Sequence, residues 1–208
     1  MNRLVVLLVA SLVAASCAAV RSNVAVTHML SPMGAGKTVA IVPYTESLAA
    51  APDYQANTQK LAAHLEAEGY RIVPATGGPS PDYLAFFLYR IDNGTVVDLP
   101  LSRPHPPTGS LFAYGYRTAL SPGTRPIYRR MVMLEILDRA RFRPNEPASF
   151  LDARVYSASV TSQGACSMMA PVIDPMLTAL FQDFPGPSGG IRSTDVSVAS
   201  TCGLDRFG

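Results

Sequence analysis

The sequence is short of charge: 15% of its 208 residues are Asp, Glu, Lys or Arg, and the formal net charge is +2. Nucleic-acid binders concentrate a basic footprint, so this balance excludes that class. Lysine is almost missing, with Lys37 and Lys60 set against fifteen arginines. Histidine is scarce too. His28, His64 and His105 are far apart, lacking the i, i+4 spacing and the Cys or Asp companions of a metal site. No Gly-x-Ser-x-Gly elbow occurs, and the glycine-flanked Ser110 and Ser188 lie in loops. Catalytic residues, cofactor and metal are therefore all expected to be none. Nor is there a bilayer-crossing segment, which takes about 20 apolar residues; the apolar run Leu4 to Val13 has ten.

That short run has its own meaning. Met1 to Arg3 form a basic start, the apolar run follows, and Ala14, Ala15 and Ser16 are small residues leading into Cys17. This is the order of a secretory signal peptide. A Cys directly after the small residues resembles the bacterial lipobox, with Ala14 where Leu or Val is usual. The resemblance implies a leader over 1–16, cut before a lipidated Cys17. Ala18 is not the Asp that marks inner-membrane retention, which points to the outer membrane facing the periplasm. An oxidising compartment leaves Cys166 and Cys202 as an expected disulfide pair. Closing that 37-residue loop would stabilise the fold by roughly 3–4 kcal/mol on the chain-entropy model.

The 192 residues after the leader suit one domain with its own core, and 48% hydrophobic content indicates a folded chain. Residues 17–36 read as a lipidated Cys and flexible tether, 37–185 as the globular domain, and 186–208 as a C-terminal tail. Within the domain, Lys37 to Tyr44 reads as a strand. Pro52 and Gly69 bracket a helix, with Tyr54, Thr58, Leu61, Ala62 and Leu65 on one stripe. Arg71–Pro74 is a short strand. Asp82–Asp92 is a longer one, apolar on both faces, hence central. Residues 93–126, rich in Pro and Gly, make a long connection, with Leu111–Tyr116 as a further strand candidate. Ile127–Asp138 and Phe150–Val160 read as a hairpin. A final helix falls within 168–183, with Asp174-Pro175 as its start or as a kink. The expected architecture is an α+β two-layer sandwich, a mostly antiparallel sheet of about five strands with two helices on one face.

TVAIVPY, HLEAEGYRIV, PDYLAFF, the Tyr/Gly-rich loop, LEILD and LTALFQDFP, in that order, resemble a bacterial lipoprotein group, domain-of-unknown-function family 4136, over roughly residues 37–185. The resemblance implies a small envelope α/β domain with no catalytic residues assigned. Asp138-Arg139-Ala140-Arg141-Phe142 departs from the group's Asp-x-x-Thr-Gly.

Ser31-Pro-Met-Gly-Ala-Gly-Lys-Thr38 imitates a phosphate-binding loop. A P-loop needs Gly at the Ser31 position and a strand before and helix after it. Here a strand follows, so Gly36 reads as a hinge and no nucleotide is expected. Phe112, Tyr114, Tyr116 and Tyr128 mingle with Arg117, Arg125, Arg129 and Arg130, residue types enriched at interfaces. Phe112, Tyr114, Tyr116 and Arg117 are the candidate partner contacts. The functional expectation is a non-enzymatic, membrane-anchored envelope lipoprotein, a periplasm-facing interaction or structural module, with an envelope protein partner. The alternative is an envelope hydrolase or transferase using Glu135, Asp138 and Asp152 near the 135–152 hairpin.

Overall fold

The computed structural model describes residues 19–29, 36–93, 95–98 and 124–197. Among these described residues eight strands are formed: β1 Ala19–His28, β2 Thr38–Pro43, β3 Arg71–Ile72, β4 Tyr83–Ile91, β5 Thr95–Asp98, β6 Thr124–Asp138, β7 Arg154–Gly164 and β8 Ile191–Ser197. The described helices are α1 Glu46–Ala49, α2 Tyr54–Ala67, α3 Pro147–Ala153 and α4 Ile173–Phe181. Seven strands make one sheet in the order β3-β2-β4-β6-β7-β1-β8, and β5 pairs with β6 off that path.

The expected five-stranded, mostly antiparallel sandwich is corrected here. The sheet is wider and mixed. β2 runs parallel to both β3 and β4, while β4-β6-β7-β1-β8 are antiparallel neighbours. Parallel pairing follows from the crossover through α2, since parallel neighbours cannot be joined by a tight turn. The extra width comes from both ends of the chain. Residues 19–28, expected as part of a flexible tether, are β1, held between β7 and β8. Residues 191–197, expected as tail, form the edge strand β8. Arg192 fastens that edge: its Nη2 donates to the Ala179 and Leu180 carbonyls at 2.7 and 3.2 Å, and it pairs with Asp183. Carbonyls at a helix C-terminus lack intrahelical donors, so the guanidinium satisfies α4 and holds β8 together.

Strand alternation sorts the side chains between the faces. Val24, Val26, Val132, Leu134, Ile136, Ala85, Phe87, Ala158 and Val160 face α2 and α4, against Leu61, Leu65, Ile173, Met176, Leu177 and Leu180. α2 ends where Gly69 adopts φ 87°, a left-handed conformation that favours glycine. α4 begins at Ile173, which puts Pro175 in its first turn, where no intrahelical acceptor is needed. α3 replaces the start of the expected returning strand: Pro147 occupies its first turn, and β7 begins only at Arg154.

Among the described residues the opposite face is covered over one part only. Phe86 points there from β4 and meets Phe150 of α3 at a centroid distance of 5.3 Å, Phe142 at 5.8 Å and Tyr44 at 6.2 Å. This aromatic group closes the end of the sheet where β4 starts and β6 finishes. At the other end β1 starts, β7 and β8 finish, and the same face carries polar and basic side chains.

Candidate functional site

Two regions of that face merit comparison. Around the hairpin, Glu135 is 4% exposed on β6. Its Oε1 accepts from Arg154 Nη1 at 2.9 Å and from Ser157 Oγ at 3.4 Å, and its Oε2 from Tyr44 Oη at 3.2 Å. Burial, and then the Glu135 charge, push the Tyr44 hydroxyl above the usual phenol range. Both carboxylate oxygens are thus engaged, as a buried charge requires. Asp138 lies at the turn, accepting from the Ala140 N–H at 2.9 Å and pairing with Arg141 at 3.4 Å. Asp138 also lines an open cleft of about 510 Å³ with Lys37, Asp82, Arg139 and Arg143; Glu135 and Asp152 are not among its lining residues. Asp152 is exposed on α3. The three hairpin carboxylates do not converge.

The Gly36-Lys37-Thr38 segment is likewise structural. Asp82 accepts from the Thr38 N–H and Oγ1–H, both at 2.8 Å, and pairs with Lys37 Nζ at 3.2 Å. Thr38 Oγ1 in turn accepts from the Asp82 N–H at 2.9 Å. These bonds pin the first residues of β2 to β4. They also hold the Asp82 carboxyl below its ordinary range, the Thr38 backbone N–H being the largest cause.

At the other end, register assembles a basic platform. Arg129 of β6 lies opposite Gln163 of β7, and Arg21 of β1 lies opposite Asp195 of β8. One row further in, Arg90 faces Met131, Met131 faces Thr161, Thr161 faces Asn23 and Asn23 faces Ser193. These side chains share the face away from α2 and α4. Two clefts open between them and share Arg129 and Thr161. The first, about 510 Å³, is lined by Arg21, Asn23, Arg129, Thr161, Ser162 and Gln163. The second, about 440 Å³, adds Arg90, Ile91, Asp92, Asn93 and Met131.

The charges on this platform are unevenly matched. Arg21 pairs with Asp195 at 3.0 Å, with both side chains well exposed, an arrangement that water screens strongly. Asp92 spends one carboxylate oxygen on the Arg129 backbone N–H at 2.8 Å. The guanidinia of Arg90 and Arg129 have no acidic partner among the described residues. Behind them Arg130 is 4% exposed, and its Nε is without a hydrogen-bond partner. Its Nη2 crowds Gly164, where a Cβ would come within 2.6 Å. Burial alone lowers the Arg130 pKa.

The remaining expected site residues divide as follows. Cys17, Cys202, Phe112, Tyr114, Tyr116, Arg117 and His105 lie outside the described residues. Cys166 is 5% exposed and disulfide-bonded, with its partner also outside them. His64 stacks on Phe181 at 4.9 Å, and burial lowers its pKa. Among the described residues no group of three His, Cys, Asp or Glu side chains could hold a metal, and no helix is long and apolar enough to cross a membrane. Sequence reasoning missed the platform. Arg129 stood out only as a neighbour of the aromatic loop, and Arg21 and Arg90 not at all.

No family model matches the chain, and no curated protein does. Among solved structures, two crystal forms of the PelC dodecamer from Paraburkholderia phytofirmans share 19% and 21% identity with it. They cover 76% and 75% of this chain and 93% and 97% of theirs, at TM-scores of 0.39 and 0.36. A PDZ domain protein from Parabacteroides distasonis shares 12% identity; the match spans 86% of this chain but 40% of that one, at a TM-score of 0.44. Likenesses this loose carry no functional weight.

Proposed function

We propose that this protein is a non-enzymatic, lipid-anchored module of the bacterial envelope, held by an acylated Cys17 on the periplasmic side of the outer membrane and acting through contacts with other envelope components. The sequence supports the anchor through the order of basic start, apolar run, small residues and Cys. That order carries the reading, and the position of β1 bears on the distance between such an anchor and the fold. Ala19, two residues after Cys17, is already paired with Ser197 of β8. The anchor then leads straight into the fold with almost no tether. A hydrolase is disfavoured because Glu135 is fully engaged and Asp138 and Asp152 stand apart from it. Cys166 is proposed to pair with Cys202, which leaves Cys17 free to carry lipid.

Metabolic labelling with a palmitate analogue tests the anchor. Label is expected in the wild-type protein and lost in Cys17→Ser, and the mature chain should begin at residue 17. An unlabelled wild-type chain, or cleavage elsewhere, would refute it. Peptide mapping of the unreduced protein should find Cys166 linked to Cys202; linkage to Cys17 would remove both the pairing and the anchor.

A further inference from the structure

We propose that the Arg21–Arg90–Arg129 platform docks on a membrane surface, taking the phosphates of anionic lipid headgroups into the two clefts beside Arg129. The inference rests on the anchor proposed above for its orientation, but its chemistry stands on the platform itself.

Chain length and charge argue for this occupant. A trans peptide advances at most about 3.8 Å per residue, so an acylated Cys17 would sit within about 8 Å of Ala19. Arg21 lies two residues further along β1 and Arg129 in the same cross-strand row. Arg90 is one row deeper, about 7 Å along the strands. With so short a leash, the near end of the sheet stays at the bilayer surface, and tilting the sheet lays this face on the headgroups. Among the described residues of this face, Arg21, Arg90 and Arg129 outnumber the acids Asp92 and Asp195. Guanidinium forks match phosphate oxygens bidentately. Asn23, Thr161 and Gln163 line the clefts between them and supply neutral donors. Met131, half-buried between Arg90 and Thr161, offers an apolar contact at the depth of the glycerol region. The Arg21–Asp195 pair is exposed enough to trade its carboxylate for a phosphate.

The test uses mature residues 17–208 with Cys17→Ser, exported behind an ordinary cleavable leader, so that no acyl chain contributes; all described elements lie within 19–197. Co-sedimentation is measured with vesicles of phosphatidylcholine alone and of phosphatidylcholine with phosphatidylglycerol. Binding should require the anionic lipid and weaken with salt. Arg90→Ala/Arg129→Ala should weaken it about 30-fold, from the usual contribution of a surface arginine near an anionic bilayer. Arg90→Lys/Arg129→Lys should stay within about threefold of the parent, which separates charge from misfolding. Arg139→Ala/Arg143→Ala, removing equal charge at the opposite end of the sheet, should leave binding unchanged. Equal binding to neutral vesicles, insensitivity to the Arg90/Arg129 pair, or an equal loss in the Arg139/Arg143 control would overturn the platform. Displacement by millimolar inorganic phosphate, beyond chloride at matched ionic strength, would assign the clefts to the free anion and overturn the lipid assignment. An unlabelled wild-type chain in the palmitate experiment, with vesicle binding intact, would remove the anchor and leave the platform standing.

Discussion

The two ends of the exposed sheet face solve the same problem in opposite ways. At the hairpin end, one buried carboxylate is engaged by Arg154, Tyr44 and Ser157, beside Phe86, which packs with Phe142 and Phe150. At the end where β1 starts, arginines outnumber acids and two clefts lie open among the described residues. A charge network that satisfies itself contributes to the fold. One left unmatched on a surface is available for a ligand that brings the opposite charge. The difference teaches that the acidic residues most visible in the sequence belong to structure, and the scattered arginines to the proposed function.

The largest break in that comparison is expected from Glu135→Ala. It strips Arg154, Tyr44 and Ser157 of their acceptor, and should cost about 2–3 kcal/mol, below the usual range for a buried pair because Arg154 can still reach water. Urea unfolding checks it. Arg90→Ala/Arg129→Ala measured alongside should stay within about 0.5 kcal/mol of wild type, as exposed side chains without an ion pair among the described residues do. If the two variants change stability equally, the contrast between the ends is wrong.

Gly164→Ala sharpens the description of the basic end. The added Cβ would come within 2.6 Å of Arg130 Nη2, so the tip of a side chain that is 4% exposed must shift. A loss of about 1 kcal/mol is expected, and it should largely vanish in an Arg130→Ala background. Additive losses would show that Gly164 is constrained by something other than Arg130.

The smallest effect concerns acid. Asp82 has its pKa lowered in the fold by the Thr38 and Lys37 donors. Its contribution is fully present above the unfolded carboxyl pKa, and is lost as pH falls through the lower folded value. Asp82→Asn should therefore flatten the acid limb of stability against pH, whereas Arg129→Ala should leave that limb unchanged. An unchanged acid limb would mean that the β2–β4 clamp is not electrostatic. The side chain is exposed enough that the change will be small.

Legibility in the sequence followed the range of the contacts involved. α2 was readable from its own stripe and its Pro52 and Gly69 signals, and β4 from its unbroken apolar run. α4 was readable too, with Asp174-Pro175 as the start rather than a kink. β1 was not, although Val20, Ser22, Val24 and Val26 alternate inward. It is short of large apolar residues, and its partner β7 lies more than a hundred residues away. β8 carries mostly polar residues and is held to α4 by Arg192, a contact with no local signature. α3 was hidden because Phe150 and Leu151 resemble the start of a strand, while Pro147 and the turn before it favour a helix start. The platform was the least legible feature. Arg21, Arg90 and Arg129 sit on three strands, and only cross-strand register brings them together.

The central claim is that the arginine end of the sheet lies on the membrane and the hairpin end stands away from it. Quenching by lipids with nitroxide-labelled headgroups checks this, using the protein bound to anionic vesicles with a fluorophore placed at Gln163 or at Arg141. Strong quenching is expected at Gln163 and little at Arg141. Equal quenching at the two positions, or the reverse order, would contradict it.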